Sequence, residues 1–460
     1  MTLTDERTAE AGERPRAQSL PARLSRRFPR AGTMLIIGVL ILILNGLHVH
    51  AYTVISPFDE NFHIDQMIRS SRLEFVQPDD ATTQESLDEV ACRGTDDVAP
   101  WPPCKKEGRY KPEEFSYKGW NGASSAPPYY YIATGVTARM LRAPDGKSIV
   151  TWGRALGSLW LLVGVYFVVR AAEYFAVRRL PLLLGVILVV ASPSLLHATN
   201  TINSDGSGFV CGAAVLLAGL SWERRRAPLW VLGVAAVFCA SFDSANALGV
   251  VVVLFYFLAR AVASHRQKLA DGVRPWREYL VAGLVAAAGA AMTVLSWRVV
   301  YQFLSHDVDL SQSPSVVGHR VDHLDLKMLF GKQTLFGIFP PVFGYVPPIL
   351  ATTAHSLFTQ AALILVGGLL IAAAVRTTLA DRVSALAAAT VAALIITPVI
   401  FVIYIYVGSS QYFPIGPRNA LTALPAVAIA VAAGARNRFG IALLGIVAVG
   451  LYLSTAVALL

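Results

Sequence analysis

The sequence is organised around one polar stretch, Ser56-Pro57-Phe58-Asp59-Glu60-Asn61-Phe62-His63. It directly follows the first long apolar segment, Met34 to Ile55, and it opens the largest polar segment of the chain. A helix that begins near Pro57 places Asp59, Glu60 and His63 within one turn and on neighbouring faces. Carboxylates at a bilayer surface can deprotonate a hydroxyl group or hold a metal ion.

The same stretch is also compatible with a simple helix start. Ser56 followed by Asp59 resembles a capping box, and Pro57 suits the first helical position. Acidic side chains in a first turn also complement the helix dipole. On local grounds, a capped and solvated helix start and a catalytic site both stay open.

The composition indicates a membrane protein. The 460 residues are 55% hydrophobic and 15% charged, whereas soluble globular proteins are about 25% charged. Apolar runs of about 16 to 25 residues recur almost to the C-terminus, which predicts an all-α polytopic membrane protein. The net charge of +9 is explained by basic cytoplasmic loops. No basic stretch is interleaved with aromatic residues, so nucleic acid is not an expected partner.

The domain organisation follows from the position of the polar segments. We expect residues 1–32, which are polar and rich in arginine, to form a disordered cytoplasmic tail. Residues 33–460 should form a single transmembrane domain that begins with a signal anchor, because the first apolar segment is too long for a signal-peptide core. Residues 57–126 are the expected large first outer loop, with interfacial helices, and residues 304–353 are the expected second outer loop.

The segment 127–148 decides the topology. It carries three tyrosines, two threonines and Arg139, which favours a helix lying in the membrane interface over one that spans the bilayer. If it does not span, every short basic connection lies in the cytoplasm; if it spans, all of them lie outside. The positive-inside rule therefore predicts about 11 transmembrane helices and an exported C-terminus.

The four cysteines fall into two pairs. Cys211 and Cys239 lie in apolar segments and are expected to pack as small hydrophobic residues. Cys92 and Cys104 lie in the first outer loop, where an exported location predicts that they form a disulfide bond. A cysteine-based metal site would require more ligands nearby.

Two further acidic residues fall on the predicted outer side. Asp205 follows Asn203 in a turn between apolar segments, and Asp243 lies in the next outer turn. Each could cap the following helix. Alternatively, Asp205 is a second carboxylate that converges with Asp59 or Glu60 on an acceptor or a divalent cation, and Asp243 has weaker support for the same role.

A basic residue also stands out on this side. Arg418 lies where an outer turn re-enters the membrane, which is unusual under the positive-inside rule. It could extend to lipid headgroups, or its guanidinium could bind a lipid-linked phosphate in a bidentate manner. A group of His and Asp residues in the second outer loop matches no zinc signature and is interpreted as loop residues lining an acceptor site: His306, Asp307, His319, Asp322 and His323.

Several short motifs occur in a characteristic order after the first transmembrane helix. They are Pro57-x-Asp59-Glu60-x-x-His63, Pro127-Pro128-Tyr129-Tyr130, a helix start at Arg154-Ala155-Leu156, Asn203-Ser204-Asp205, and Arg418 followed by Ala423-Leu424-Pro425. In this order the chain resembles the GT-C superfamily of membrane glycosyltransferases, which use polyprenyl-phosphate-linked sugars outside the cytoplasmic membrane. Within it, the chain is similar to a bacterial membrane-protein family of unassigned function.

The resemblance implies roles for individual residues. Asp59 matches the general base of the first loop, Glu60 and His63 match its companions, Asp205 matches a second acidic position, and Arg418 matches an arginine near the donor phosphate. Asp59, Glu60 and Asp205 are the expected catalytic residues, and the same three are the expected ligands of a divalent cation (Mg, Mn or Ca). The expected substrate-binding residues are His63, Tyr129, Tyr130, Asn203 and Arg418.

The sequence departs from the superfamily pattern at three positions. Ala126 stands where related enzymes often have His, and Pro417 and Asn419 replace a more usual Gly and Tyr. These departures bear on the identity of the donor or acceptor more than on the fold.

The expected function is transfer of a sugar from a polyprenyl-phosphate donor to a hydroxyl of a glycan, lipid or protein acceptor on the outer face of a bacterial cytoplasmic membrane, for cell-envelope glycan assembly. We expect the transfer to invert the anomeric centre. The absence of a nucleotide-phosphate loop suits a lipid-linked donor. Two alternatives stay open: a transporter of lipid or polyprenol phosphate without chemistry, and an inactive scaffold for envelope assembly. Transporters often show internal repeats and ionisable residues near mid-membrane, whereas here the acidic residues cluster at one surface.

Overall fold

The structure is a computed structural model, and it describes residues 30–460 except 78–79, 97–100, 106–108, 116–118, 146–147, 268–273, 306–319, 336, 376–380 and 413–415. Most of the predicted tail, and also Lys147, His306, Asp307 and His319, lie outside the described residues.

The described part of the chain is built from α-helices, without a β-strand. Its helices are α1 Arg30–Ala51, α2 Glu60–Ser70, α3 Gln84–Arg93, α4 Tyr129–Asp145, α5 Ile149–Ala172, α6 Arg179–Val190, α7 Pro193–Thr199, α8 Gly208–Glu223, α9 Leu229–Phe242, α10 Ala247–Gln267, α11 Trp276–Leu304, α12 Leu326–Phe330, α13 Lys332–Leu335, α14 Thr353–Val375, α15 Arg382–Ser409, α16 Leu424–Gly434 and α17 Arg438–Leu459. Short 3₁₀ helices precede α8, α10 and α16, at Ser204–Ser207, Ser244–Asn246 and Pro417–Ala423.

Eight of the described helices are long and apolar enough to cross a membrane. They are α1, α5, α8, α10, α11, α14, α15 and α17, some extended by an adjoining 3₁₀ turn. The pair α6 and α7, bent by 65° at their junction, forms a possible ninth span, and α9 is a shorter apolar helix. The expected all-α polytopic membrane fold is therefore confirmed, with eight or nine candidate spans in the described residues where the sequence predicts about 11.

Helix α8 lies at the centre of the bundle, and it positions two parts of the end that the sequence assigns to the outer side. Almost all of its side chains are buried. A Cβ on Gly212 would lie 1.9 Å from the carbonyl oxygen of Thr422. Only glycine therefore allows the 3₁₀ helix Pro417–Ala423 to lie this close. As a result, Arg418 lies beside Asp205. Asp205 is part of the 3₁₀ turn that leads into α8.

The first outer loop is folded onto α2 through one buried carboxylate. Asp65 accepts hydrogen bonds from the backbone N–H and the hydroxyl of Thr83, at 2.8 and 2.7 Å, and from the Asn121 amide at 2.7 Å. Cys92, in α3, forms a disulfide bond with Cys104, as the sequence predicts. The predicted first outer loop is therefore a folded cap on one end of the bundle and not a loose linker.

Helix α4 belongs structurally to this cap. It is not among the eight long apolar helices. A Cβ on Gly135 would lie 2.5 Å from the carbonyl oxygen of Met67 in α2, so the two helices are in close contact. Arg139 donates to the Ser71 hydroxyl at 2.7 Å, and Arg142 donates to Glu85 at 2.6 Å. These contacts agree with an interfacial position for α4, which stays a prediction.

A second buried carboxylate closes the other end of α8. Glu223 lies at the last position of that helix, about 27 Å of helix length from Asp205. It accepts hydrogen bonds from Tyr256, Arg260 and Tyr279 at 2.8, 3.1 and 2.9 Å. Because the charge of Glu223 is compensated by buried arginine, this end is a structural anchor.

The topology can be tested by cysteine-accessibility labelling in intact cells. If α4 lies in the interface, Lys147→Cys and Glu113→Cys should react with a membrane-impermeant thiol reagent, and Arg178→Cys should react only after permeabilisation. The native cysteines do not interfere, because Cys211 and Cys239 are buried and the other two are paired. If Glu113→Cys still reacts but Lys147→Cys is protected and Arg178→Cys reacts in intact cells, α4 spans the membrane and every helix after it is inverted.

Candidate active site

A cavity of about 470 Å³ lies at the end of the bundle that the sequence assigns to the outer side. Its walls come from the first outer loop, from α7 and the turn after it, from the segment before α14, from α15 and from the turn before α16. Polar and aromatic side chains that line it include Ser56, Phe58, Asp59, His197, Asn203, Asp205, Tyr345, Arg418 and Asn419. The cavity thus joins Asp59, Asp205 and Arg418, which lie far apart in the sequence.

Asp59 lies in a turn with a specific backbone shape. Its φ is 61°, in the left-handed region that aspartate tolerates better than most residues. It occupies the N-cap position of α2, but its side chain makes no capping hydrogen bond. The Asp59 side chain therefore takes no part in capping α2. The Asp59 side chain is 46% exposed, towards the cavity.

The turn before α2 is fixed by a hydrogen bond across the cavity wall. The Ser56 hydroxyl and the Nε2 atom of His197 lie 2.8 Å apart. The same hydroxyl accepts a hydrogen bond from the backbone N–H of Phe58 at 3.3 Å. His197 in α7 thereby supports the residue adjacent to Asp59.

Arg418 is the cation that the acidic side chains of the cavity contact. Its Nη2 atom donates to Oδ2 of Asp59 at 3.0 Å, and its Nη1 atom donates to the carbonyl oxygen of Phe58 at 3.3 Å. Its Nε atom lies 3.3 Å from Oδ2 of Asp205. The guanidinium carbon also lies 5.8 Å from the centre of the Phe58 ring. One cation is therefore shared by two carboxylates.

Asp205 differs from Asp59 in its burial. Its side chain is only 9% exposed, and its backbone N–H donates to Oδ1 of Asn203 at 2.9 Å. Asn203 therefore caps this turn, and the Asp205 side chain is directed to Arg418 instead. Nearby, the Ser204 hydroxyl donates to Asp243, and burial raises the pKa of the Asp243 carboxyl.

Glu60 has a structural position, which corrects the expectation that it is catalytic or binds a metal ion. It is fully buried, and Arg154 donates to both of its oxygens, at 2.9 and 2.7 Å. The backbone N–H groups of Ser56 and Ile202 donate to the same two oxygens at 2.7 and 2.8 Å. Arg154 also donates to the carbonyl of Tyr52. Four donors leave Glu60 no free lone pair directed to a substrate, and they fasten three chain segments together.

Two of the five expected substrate-binding residues, Asn203 and Arg418, line the cavity. The other three do not. The Nδ1 atom of His63 is 2.6 Å from the Tyr131 hydroxyl, and burial lowers the pKa of His63 to about 4. Tyr130 is buried among aromatic rings. Tyr129 is 55% exposed on the surface of α4. His63 and Tyr130 therefore do not face the cavity.

The residues expected to bind a divalent cation do not fit that role in this arrangement. Glu60 is saturated by Arg154 and backbone donors. The guanidinium of Arg418 lies between Asp59 and Asp205, where a shared cation would have to lie. In the described part of the chain, no three His, Cys, Asp or Glu side chains are grouped as metal ligands. We therefore derive no step through a metal ion.

The structure adds an aromatic wall that the sequence did not indicate. The rings of Phe58 and Tyr345 meet edge to face with centroids 4.8 Å apart, and Tyr345 meets His197 at 4.9 Å. Gly344 permits this, because a Cβ there would lie 2.4 Å from the Cα atom of Ser194. His197, an ionisable residue within an apolar run, was the one signal available.

The chain was compared with known proteins and structures. No protein-family model and no curated protein match it. The crystal structure of ArnT from Cupriavidus metallidurans in the apo state is similar, with a TM-score of 0.51, 12% identity, and coverage of 93% of this chain and 75% of that chain. The structure of the same protein bound to undecaprenyl phosphate gives a TM-score of 0.49, 11% identity, and coverage of 93% and 76%. The likeness to apo ArnT concerns the fold alone: this chain is an all-α polytopic membrane protein with a GT-C fold.

Proposed function

We propose that the chain is a membrane glycosyltransferase that moves a sugar from a polyprenyl-phosphate donor to an acceptor hydroxyl on the outer face of the cytoplasmic membrane. One observation carries the proposal: a single cavity is lined by Asp59, Asp205 and Arg418. A carboxylate that accepts a proton and a guanidinium that binds a phosphate are the two groups that this reaction needs. The chain also shares its fold with apo ArnT.

Asp59 is the general base of the proposed reaction. Its carboxylate takes the proton of the acceptor hydroxyl while that oxygen forms a bond to the anomeric carbon of the sugar. The bond between the anomeric carbon and the donor phosphate oxygen breaks, and its electron pair leaves with the polyprenyl phosphate. A single displacement of this kind inverts the anomeric centre.

Arg418 stabilises the leaving group. Negative charge grows on the phosphate oxygens as the glycosidic bond breaks, and a guanidinium that is already in place stabilises this charge without reorganisation. Asp205 holds the Nε side of Arg418 from a buried position. Asp205 is thus a positioning residue, and Asp59 and Arg418 are the residues that contact the reacting groups.

The remaining walls suit the two ends of a lipid-linked sugar. Phe401 and Ile405 line the cavity from α15, a helix long and apolar enough to cross the membrane. They offer a prenyl chain a path from the bilayer to Arg418. Phe58 and Tyr345 present an aromatic surface at the polar end. Acceptor hydroxyls of a glycan, a lipid or a protein of the cell envelope could all reach Asp59, which is partly exposed.

The test is a transfer assay with purified protein in liposomes, using polyprenyl-phosphate-linked sugars and a panel of glycan, lipid and peptide acceptors. Transfer should release polyprenyl phosphate in equal amount to the glycosylated product. Arg418→Ala should weaken donor binding about ten- to a hundredfold and slow turnover, because a charge-assisted hydrogen bond to the phosphate is lost.

A matched control distinguishes the site from general loss of basic charge. Arg438 is exposed at the start of α17 and does not line the cavity. Arg438→Ala should bind and transfer as the wild type does. If the wild type releases no polyprenyl phosphate from any donor but moves the lipid between leaflets, the protein is a transporter and the proposal is wrong.

A further inference from the structure

Each of the three guanidinium nitrogens of Arg418 already faces a partner in this structure. The Nη1 and Nη2 atoms donate to the Phe58 carbonyl and to the Asp59 carboxylate, at 3.3 and 3.0 Å. The Nε atom lies 3.3 Å from the Asp205 carboxylate. A donor phosphate that binds the edge formed by Nη1 and Nη2 must therefore replace the partners on that edge.

The two carboxylates are not equally easy to replace. Asp205 is 9% exposed, and its turn is capped by Asn203. Removing Arg418 from it would leave a buried charge without compensation, which is costly. Asp59 is 46% exposed, so water can solvate its carboxylate when the ion pair breaks. The guanidinium should thus keep Asp205 and release Asp59.

The geometry of the guanidinium points to the same partner. Phe58 and Asp59 together occupy the Nη1 and Nη2 atoms, which form one complete edge for two parallel hydrogen bonds. Phosphate groups bind arginine through two parallel N–H···O bonds of this kind. The pair formed by Phe58 and Asp59 therefore lies where two phosphate oxygens would bind.

We infer that Asp59 holds the place of the donor phosphate in the empty site, and that the donor exchanges with Asp59 on Arg418. This inference rests on the proposed function. Binding of the donor then does two things at once: it fixes the phosphate on the Nη1 and Nη2 atoms, and it frees the carboxylate oxygen that must accept the acceptor's proton.

The test is equilibrium binding of a polyprenyl monophosphate, which carries no sugar, to the full-length protein in detergent. Asp59→Asn removes the competing charge, and asparagine tolerates the left-handed backbone of this position. Asp59→Asn should bind the lipid about fivefold more tightly than the wild type, which is the size of a partly exposed ion pair.

Asp243→Asn is the matched control for charge alone. Asp243 is a nearby carboxylate that bonds Ser204 and does not line the cavity. Its variant should change the affinity less than twofold. An equal gain in Asp243→Asn and Asp59→Asn would overturn the exchange, because the long-range field would then explain both.

The remaining outcomes separate the exchange from the proposed function. If the wild type binds the lipid, Arg418→Ala weakens that binding, and Asp59→Asn binds no more tightly than the wild type, the exchange is wrong and the proposed function stands. If the wild type does not bind the lipid, or Arg418→Ala binds it equally well, both are wrong.

Discussion

Arg154→Met is expected to lower the free energy of unfolding by about 3–5 kcal/mol, the usual cost of removing one partner of a buried ion pair. Arg154 is 1% exposed and Glu60 is fully buried. Without the guanidinium, the Glu60 carboxylate keeps only the N–H groups of Ser56 and Ile202. The carbonyls of Tyr52 and Val54 lose their donor as well. Many proteins are stable by only about 5–15 kcal/mol, so we expect a low yield of folded protein.

The measurement is thermal unfolding in detergent, together with the yield of monodisperse protein. Arg170→Met is the matched control, because Arg170 pairs with Glu173 at 3.6 Å on the surface of the same helix, α5. Exposed pairs contribute about 0–1 kcal/mol, so this variant should unfold close to the wild-type temperature. Equal stability of the two variants would show that Arg154 and Glu60 do not fasten the outer end.

The fold was predictable from the sequence because the bilayer imposes one long-range constraint on every apolar run. A segment of about 20 apolar residues has few options other than a helix. The spans that the sequence did not define clearly are those that are bent or short. The bend between α6 and α7 and the shortness of α9 are features that hydropathy does not report.

The convergence of Asp59, Asp205 and Arg418 was also predictable, because topology places all three at one end of the bundle. The role of Glu60 was not. Its partner Arg154 lies 94 residues away in the sequence, and no local pattern shows that this arginine turns towards α2. The adjacent acidic residues are alike in sequence and opposite in environment. A left-handed turn at Asp59 separates them, directing one to the cavity and the other to the interior.

Tyr345 and His63 also show which contacts local sequence patterns do not predict. Tyr345 lies in a segment rich in glycine and proline without periodicity, so its approach to His197 depends on tertiary contacts alone. His63 has the helical spacing to share a face with Asp59, but the Tyr131 hydroxyl takes its Nδ1 atom. Spacing on one helix predicts which residues are neighbours, and it does not predict which neighbour another helix covers.

Asp59→Asn is expected to reduce the rate of sugar transfer about 10²- to 10⁴-fold, the usual contribution of a general base. The variant keeps the size, polarity and backbone preference of the residue, so the fold and the cavity should be retained. Donor affinity should not fall, because the phosphate partner Arg418 is still present. Slow turnover with undiminished donor binding is the pattern of an interaction needed only in the transition state. The measurement is steady-state kinetics of sugar transfer, together with a separate measurement of donor binding.

A carboxylate of the same loop gives the matched control for this result. Asp88 is exposed on α3 and does not line the cavity, so Asp88→Asn should transfer sugar at the wild-type rate. If Asp59→Asn also transfers at that rate, Asp59 is only part of a helix start and the base must be sought elsewhere. Asp205 is the remaining carboxylate in the cavity, but its contact with Arg418 and its burial suit it to holding the guanidinium. A fully active Asp59→Asn variant would therefore contradict the proposal that Asp59 is the base and Asp205 positions Arg418. It could not be explained by assigning the role of base to Asp205 instead.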